Sequence, residues 1–136
     1  MKKSILSTAF ILSVSFLAFA QTPKFDLKAS ITRGKELYST QCITCHMEQG
    51  EGIESVYPPL AKSDYLKADK ARSIKQVLYG ASGEMKVNGV VYSGEMAGFD
   101  ISDQEVSDIL NYVRNSFGNK GDAVKPEEVK AQRKTN

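Results

Sequence analysis

Histidine, cysteine and tryptophan are almost missing from this chain, whose 136 residues include one His, two Cys and no Trp. Three Cys and His side chains cannot complete the four-ligand shell of a structural zinc site within one chain. A disulfide between the two cysteines, with only two residues separating them, would constrain very little chain. An excess of charge is lacking too. Lys2 and Lys3 account for the whole formal +2, and the remainder balances sixteen cations against sixteen anions, so polyanion binding by bulk charge is not supported. The length leaves room for one small domain, with an apolar content modest enough for a cofactor to help fill the core. Internal repeats and low-complexity tracts are absent.

The one long apolar run, Ile5 to Ala20, is too short for a comfortable bilayer span and is diluted by Ser7, Ser13 and Ser15. Preceded by Lys2 and Lys3 and ending in Ala18-Phe19-Ala20, it reads as a secretory signal cleaved before Gln21. Residues 1–20 are therefore expected to be removed on export to the periplasm. The residue directly after the cleavage site is Gln21, not a cysteine that could take a lipid anchor.

In the remainder, residues 21–29 read as an entry arm with Pro23. A first helix is expected over about Ser30 to Gln41, with Ile31, Leu37 and Tyr38 on a face shared by Gly34, where another helix could approach closely. Cys42 to Leu60, with two glycines and two prolines, reads as a functional loop. Ser63 or Asp64 can cap a short helical turn. Asp69 can cap a longer helix, with Ala71, Ile74, Val77 and Leu78 on its apolar face and Gly80 at its end. Asn88-Gly89 marks a hairpin within Met85 to Tyr92. Ser102 and Glu105 form a capping box for a helix expected from Asp103 to Phe117, with Val106, Ile109, Leu110, Val113 and Phe117 facing inward. Asn119 to Asn136 is charged and reads as a mobile tail or frayed helix outside the core.

The scarce residues lie together, in Cys42-Ile43-Thr44-Cys45-His46. This is the C-x-x-C-H pattern, in which two thiols add to the vinyl groups of one haem and the following imidazole lies beneath the iron. Chance would put the one His directly after the second Cys in roughly 1 of 130 arrangements, so coincidence is a poor account of it. A thioredoxin-like dithiol normally follows a strand and opens a helix, whereas here a helix precedes the motif and a glycine-rich loop follows. With no second His, the sixth iron position falls to a methionine. Met47 adjoins His46 and cannot reach the other face of the ring. Met85 begins a hairpin strand, while Met96 lies in the flexible run Gly94-Glu95-Met96-Ala97-Gly98, and is preferred. A metal-bound imidazole usually donates its second N–H to a carbonyl, expected here from the Pro58 region.

These residues, with Gly34-x-x-x-Tyr38, Gly50-x-Gly52, Tyr57-Pro58-Pro59-Leu60 and Ile109-x-x-Tyr112-Val113, resemble the small class I monohaem c-type cytochromes of bacteria from about Ser30 to Gly118. The resemblance implies an all-α fold of cytochrome c-like helices around one covalently bound haem c, with a small hairpin before the axial Met loop. It also implies that Gly34 and Tyr112 lie where the first and last helices cross, that Pro58 accepts from the proximal imidazole and that Leu60 packs on the ring. Two departures are Ala97, where the family commonly has Pro and without which the loop is expected to be looser, and Met47, where it often has Gly. The activity implied is one-electron transfer between transient redox partner proteins; a monomer is expected, with no nucleic-acid partner and no membrane span after signal cleavage. The alternatives are a subunit docked on a dehydrogenase or reductase and, with an open sixth position, a haem peroxidase or gas-binding protein.

Overall fold

The computed structural model describes residues 24–134, so the leader read over residues 1–20 lies outside the described residues. Asp26 caps the first helix, its Oδ1 accepting from the Ala29 N–H at 3.0 Å, and α1 runs over Leu27–Gln41, taking in the end of the expected arm. The buried face of α1 is Ser30, Gly34 and Tyr38, while Ile31 and Leu37 are only half-buried. Helix α2, Ile43–His46, is one turn; α3, Asp64–Ala68, is capped by Ser63, and α4, Lys70–Tyr79, by Asp69. Four short strands follow: β1 Gly80–Ala81, β2 Met85–Val87, β3 Val90–Tyr92 and β4 Met96–Ala97. β2 pairs antiparallel with β3 across Asn88 and Gly89, both at positive φ as a two-residue hairpin turn requires. β1 pairs antiparallel with β4. Helices α5, Asp103–Arg114, and α6, Pro126–Gln132, complete the chain.

The main packing is α1 across α5. A Cβ at Gly34 would fall 1.9 Å from the Asp108 carbonyl oxygen and 2.9 Å from the Tyr112 Cβ, so only hydrogen fits where the two backbones meet. Beside the crossing, the buried Asp108 carboxylate accepts from the Ser30 hydroxyl at 2.5 Å, from Arg33 Nε and Nη2 at 2.7 and 2.8 Å, and from Gln104 Nε2 at 2.8 Å. Four donors compensate its removal from water. The rings of Tyr38, Tyr112 and Phe117 meet pairwise at 5.3–5.4 Å, each pair contributing about 0.5–1.5 kcal/mol beyond its buried area.

The capping box of α5 is formed, and Val106, Ile109, Leu110 and Val113 face the interior. The helix stops at Arg114, a turn before the expected Phe117: Asn115 (φ −125, ψ 13) leaves the helical range, and Phe117 (φ 57) and Gly118 (φ 77) then turn left-handed. That reversal carries the Phe117 ring to Tyr38 and Tyr112 from outside the helix.

The segment expected as a mobile tail is instead part of the packed body. Val124 and Val129 are fully buried in the core, and Asn111 on α5 binds both backbone polar groups of Val124, at 2.8 and 2.7 Å. Ser107 donates to the same carbonyl at 2.8 Å. Lys70 pairs with Glu128, and Arg133 with Asp103, so α6 straps α4 to α5. Only two apolar residues of that segment enter the core, and their polar anchors lie on a distant helix, so its own pattern reads as solvated. Among the described residues no helix is long and apolar enough to cross a membrane.

Candidate functional site

The motif occupies the turn where α1 gives way to α2. The Cys42 N–H still donates to Tyr38, while the His46 N–H closes onto the Cys42 carbonyl at 3.0 Å. This tight turn brings Cys42, Cys45 and His46 to the wall of an open cavity of about 290 Å³. Pro58, Leu60 and Met96 line the same cavity, so all six residues singled out from the sequence meet there, from three separate parts of the chain.

The His46 ring is held from behind. Its Nδ1 lies 3.0 Å from the Pro58 carbonyl, and donation there leaves Nε2 with its lone pair, the tautomer a metal ligand needs. Burial pulls the His46 pKa below its ordinary value, outweighing the opposing pull of the Pro58 carbonyl, so the ring is neutral at pH 7. Of the two adjacent prolines, geometry selects Pro58. Its loop is rigid: Gly52 donates to the His46 carbonyl at 3.0 Å, and Leu60 and Ala61 both donate to Gly50, at 2.7 and 2.8 Å. Met47 takes φ 64, a conformation costing roughly 1–2 kcal/mol without glycine. The Tyr38 hydroxyl binds its carbonyl at 2.6 Å and holds it there.

Met96 is more firmly placed than its glycine-rich surroundings suggest. The ladder pairs Gly80 with Ala97 and Ala81 with Met96, and Phe99 N–H donates to Val77 at 3.0 Å. A Cβ at Gly80 would lie 2.2 Å from the Met96 carbonyl oxygen, and one at Gly98 2.6 Å from that of Leu78. The looseness expected from Ala97 is thus corrected, since backbone pairing supplies what a proline would. Two-residue strands carry no periodicity, which is why the pairing is invisible in the sequence. Met85 also lines the cavity, so two thioethers are available there.

Sequence reasoning missed the polar rim. Tyr65 and Gln76 line the cavity and are joined at 3.2 Å, while Arg72 lies 3.6 Å over the Tyr65 ring, and its Nε is buried without a partner. Arg72 belongs to a basic stretch that reads as solvated charge; only the fold of α4 against α3 turns it inward. Largely apolar walls with amide and phenol donors at one rim fit a flat apolar ring bearing carboxylates. The Cys42 thiol is pushed up to about 11, by burial first and by Cys45 second. A disulfide-exchange dithiol needs the opposite shift.

Residues 31–117 match the family model described as cytochrome c. The chain belongs to the cytochrome c family. It is 36% identical over 110 residues to a cytochrome c-552 of Thermus thermophilus, covering 74% of this chain and 83% of that one. It is also 33% identical over 88 residues to the cytochrome c subunit of a quinone alcohol dehydrogenase from Gluconobacter oxydans, covering 63% of this chain and 18% of that much longer one. Cytochromes of this family bind haem c covalently and carry electrons between redox partners, and Cys42 and Cys45 have the spacing that attachment requires.

Proposed function

We propose that this cytochrome is an exported, monomeric electron carrier whose haem is joined to Cys42 and Cys45 and ligated by His46 and Met96. The observation that carries the reading is the convergence of a neutral imidazole, oriented by the Pro58 carbonyl, with Met96 in one cavity. When bound, the haem supplies a one-electron Fe(II)/Fe(III) couple. The chain's own residues do the rest. Pro58 fixes the His46 tautomer and makes the imidazole a stronger donor. The β1–β4 ladder holds the Met96 backbone, while Met85 belongs to the hairpin, where it pairs with Tyr92. Leu60, half-buried against the core, closes one apolar wall. Tyr65 and Gln76 offer donors to the carboxylates, with Arg72 stacked behind them on the Tyr65 ring. With His46 and Met96 both holding it, the iron would have no place left for a substrate, so this reading assigns carriage rather than catalysis. Residues 1–20 are the cleaved leader, and residues 30–118 hold the haem-binding unit.

The test is the protein matured in a host able to export and attach haem. Its intact mass is expected to equal the chain from Gln21 plus one haem, with no free thiol and with monomeric elution on gel filtration. Its reduced spectrum should show a sharp α band, and its oxidised spectrum a weak far-red band from sulfur ligation. Met96→Ala should abolish the far-red band and admit carbon monoxide to the reduced iron, while Met85→Ala should retain the wild-type spectrum. Retention of the band in Met96→Ala, or rapid carbonyl formation by the wild type, overturns the ligand assignment.

A further inference from the structure

The mouth of the cavity presents a rigid apolar ridge in a field of one sign, and the structure assigns it as the docking surface for a partner protein whose apolar contact patch is ringed by lysine or arginine. The inference rests on the electron-carrier reading and names the chemistry of the partner.

Ile53 and Val56 are 41% and 47% exposed, two of the few large apolar side chains left in water among the described residues. They are not on a slack loop. Ile53 N–H donates to Tyr57 at 2.9 Å, Tyr57 N–H returns to Ile53 at 2.8 Å, and Val56 N–H donates to Ile53 at 2.9 Å. The turn between them is closed by Ser55 at φ 59. A turn so tied that it holds two branched apolar side chains outward keeps an interaction surface ready, with little ordering left to do on binding. Val56 also lines the cavity, as do Gly94 and Glu95 from the facing lip. The two lips meet: a Cβ at Gly94 would fall 2.9 Å from the Val56 carbonyl oxygen.

The charges on these lips share one sign. Residues 47–60, 81–85 and 93–98 contain Glu48, Glu51, Glu54, Glu84 and Glu95 and no Lys or Arg. None of these carboxylates enters an ion pair among the described residues, where the pairs are Arg33 with Asp108, Lys70 with Glu128 and Arg133 with Asp103. Lys86 flanks this set, and the larger gathering of cations is elsewhere: residues 61–79 carry five against Asp64 and Asp69. A chain nearly neutral in sum is therefore polarised, and its field turns the apolar ridge toward a positive surface before contact. A negative surface, or the same ridge on a second copy, is repelled.

Two one-electron oxidants of opposite charge test this on the haem-loaded protein: tris(phenanthroline)cobalt(III), which is cationic and apolar-faced, and ferricyanide. In each case one electron leaves the ferrous haem, giving cobalt(II) or ferrocyanide. In stopped-flow measurements the cobalt reaction should slow several-fold as salt rises from low to high, and the ferricyanide reaction should quicken. Glu51→Lys, Glu54→Lys and Glu95→Lys combined should remove or invert both slopes. With the oxidised protein, where no electron can pass, titration with the cobalt complex should shift the amides of residues 53–57 and 94–96. Parallel salt slopes, slopes unchanged by the triple substitution, shifts centred on α4, or shifts that grow with protein concentration alone would each overturn the assignment. Exchange of electrons with neither oxidant would overturn the carrier reading itself, and the docking surface with it.

Discussion

At the scale of single residues, the decisive positions are those where a few atoms are forbidden or compelled. Gly34 is one: an added methyl would enter the Asp108 carbonyl, whose backbone cannot yield as a flexible side chain can. Gly34→Ala is expected to lower stability by at least about 1–3 kcal/mol, the usual cost of overpacking. Thermal melts by circular dichroism check it, and an unchanged melting temperature would mean that α1 and α5 can part freely. Gly34, Cys42, Cys45 and His46 are legible in the sequence because each performs a task no other residue type can. The Pro58 assignment was half legible. A carbonyl was required by the chemistry of a ligating imidazole, but only the fold shows that Pro58, and not Pro59, lies 3.0 Å from Nδ1.

At the scale of elements, local signals and real boundaries agree wherever a cap or a turn sets them. Ser63, Asp69 and Ser102 begin their helices, and Asn88-Gly89 turns the hairpin. The hairpin is clasped to α3 by a reciprocal pair: Asp64 N–H donates to Asn88 Oδ1 at 3.0 Å, and Asn88 N–H donates to Asp64 Oδ1 at 2.8 Å. The Asn88 N–H foremost, and then the Tyr65 N–H, hold the Asp64 pKa below its ordinary carboxylate value. A folded pKa below the unfolded one means that the clasp acts fully above the unfolded value, near pH 4, and is lost as pH falls through the folded value. Amide protection factors in Met85–Tyr92 should therefore hold constant from neutrality down to about pH 5 and should fall on further acidification. Asp64→Ala should remove that acid step and leave the hairpin less protected at neutral pH, as read by NMR. A wild-type-like acid step in the variant would assign it to another group.

At the scale of the whole molecule, the C-terminal segment joins α4 to α5 and so supports the elements that lead to and from Met96. Val129 is fully buried there, and Val129→Ala removes two methyl groups and leaves a void. A loss of about 2 kcal/mol is expected, in one cooperative transition rather than as local fraying. Denaturant unfolding followed by far-ultraviolet dichroism and by haem absorbance should give coincident curves. Separate transitions would mean that α6 is an appendage. The sequence by itself determined the cofactor chemistry, the helix starts and the hairpin turn, because each is written in contiguous residues whose covalent geometry or local hydrogen bonding demands particular side chains. Only the tertiary structure decided how firmly Met96 is held, which carbonyl orients His46, that Tyr65 and Gln76 meet at the cavity rim and that the last eighteen residues include core. Those outcomes depend on pairings between segments far apart in the chain, and no local pattern encodes the partner of a two-residue strand or of a lone buried valine.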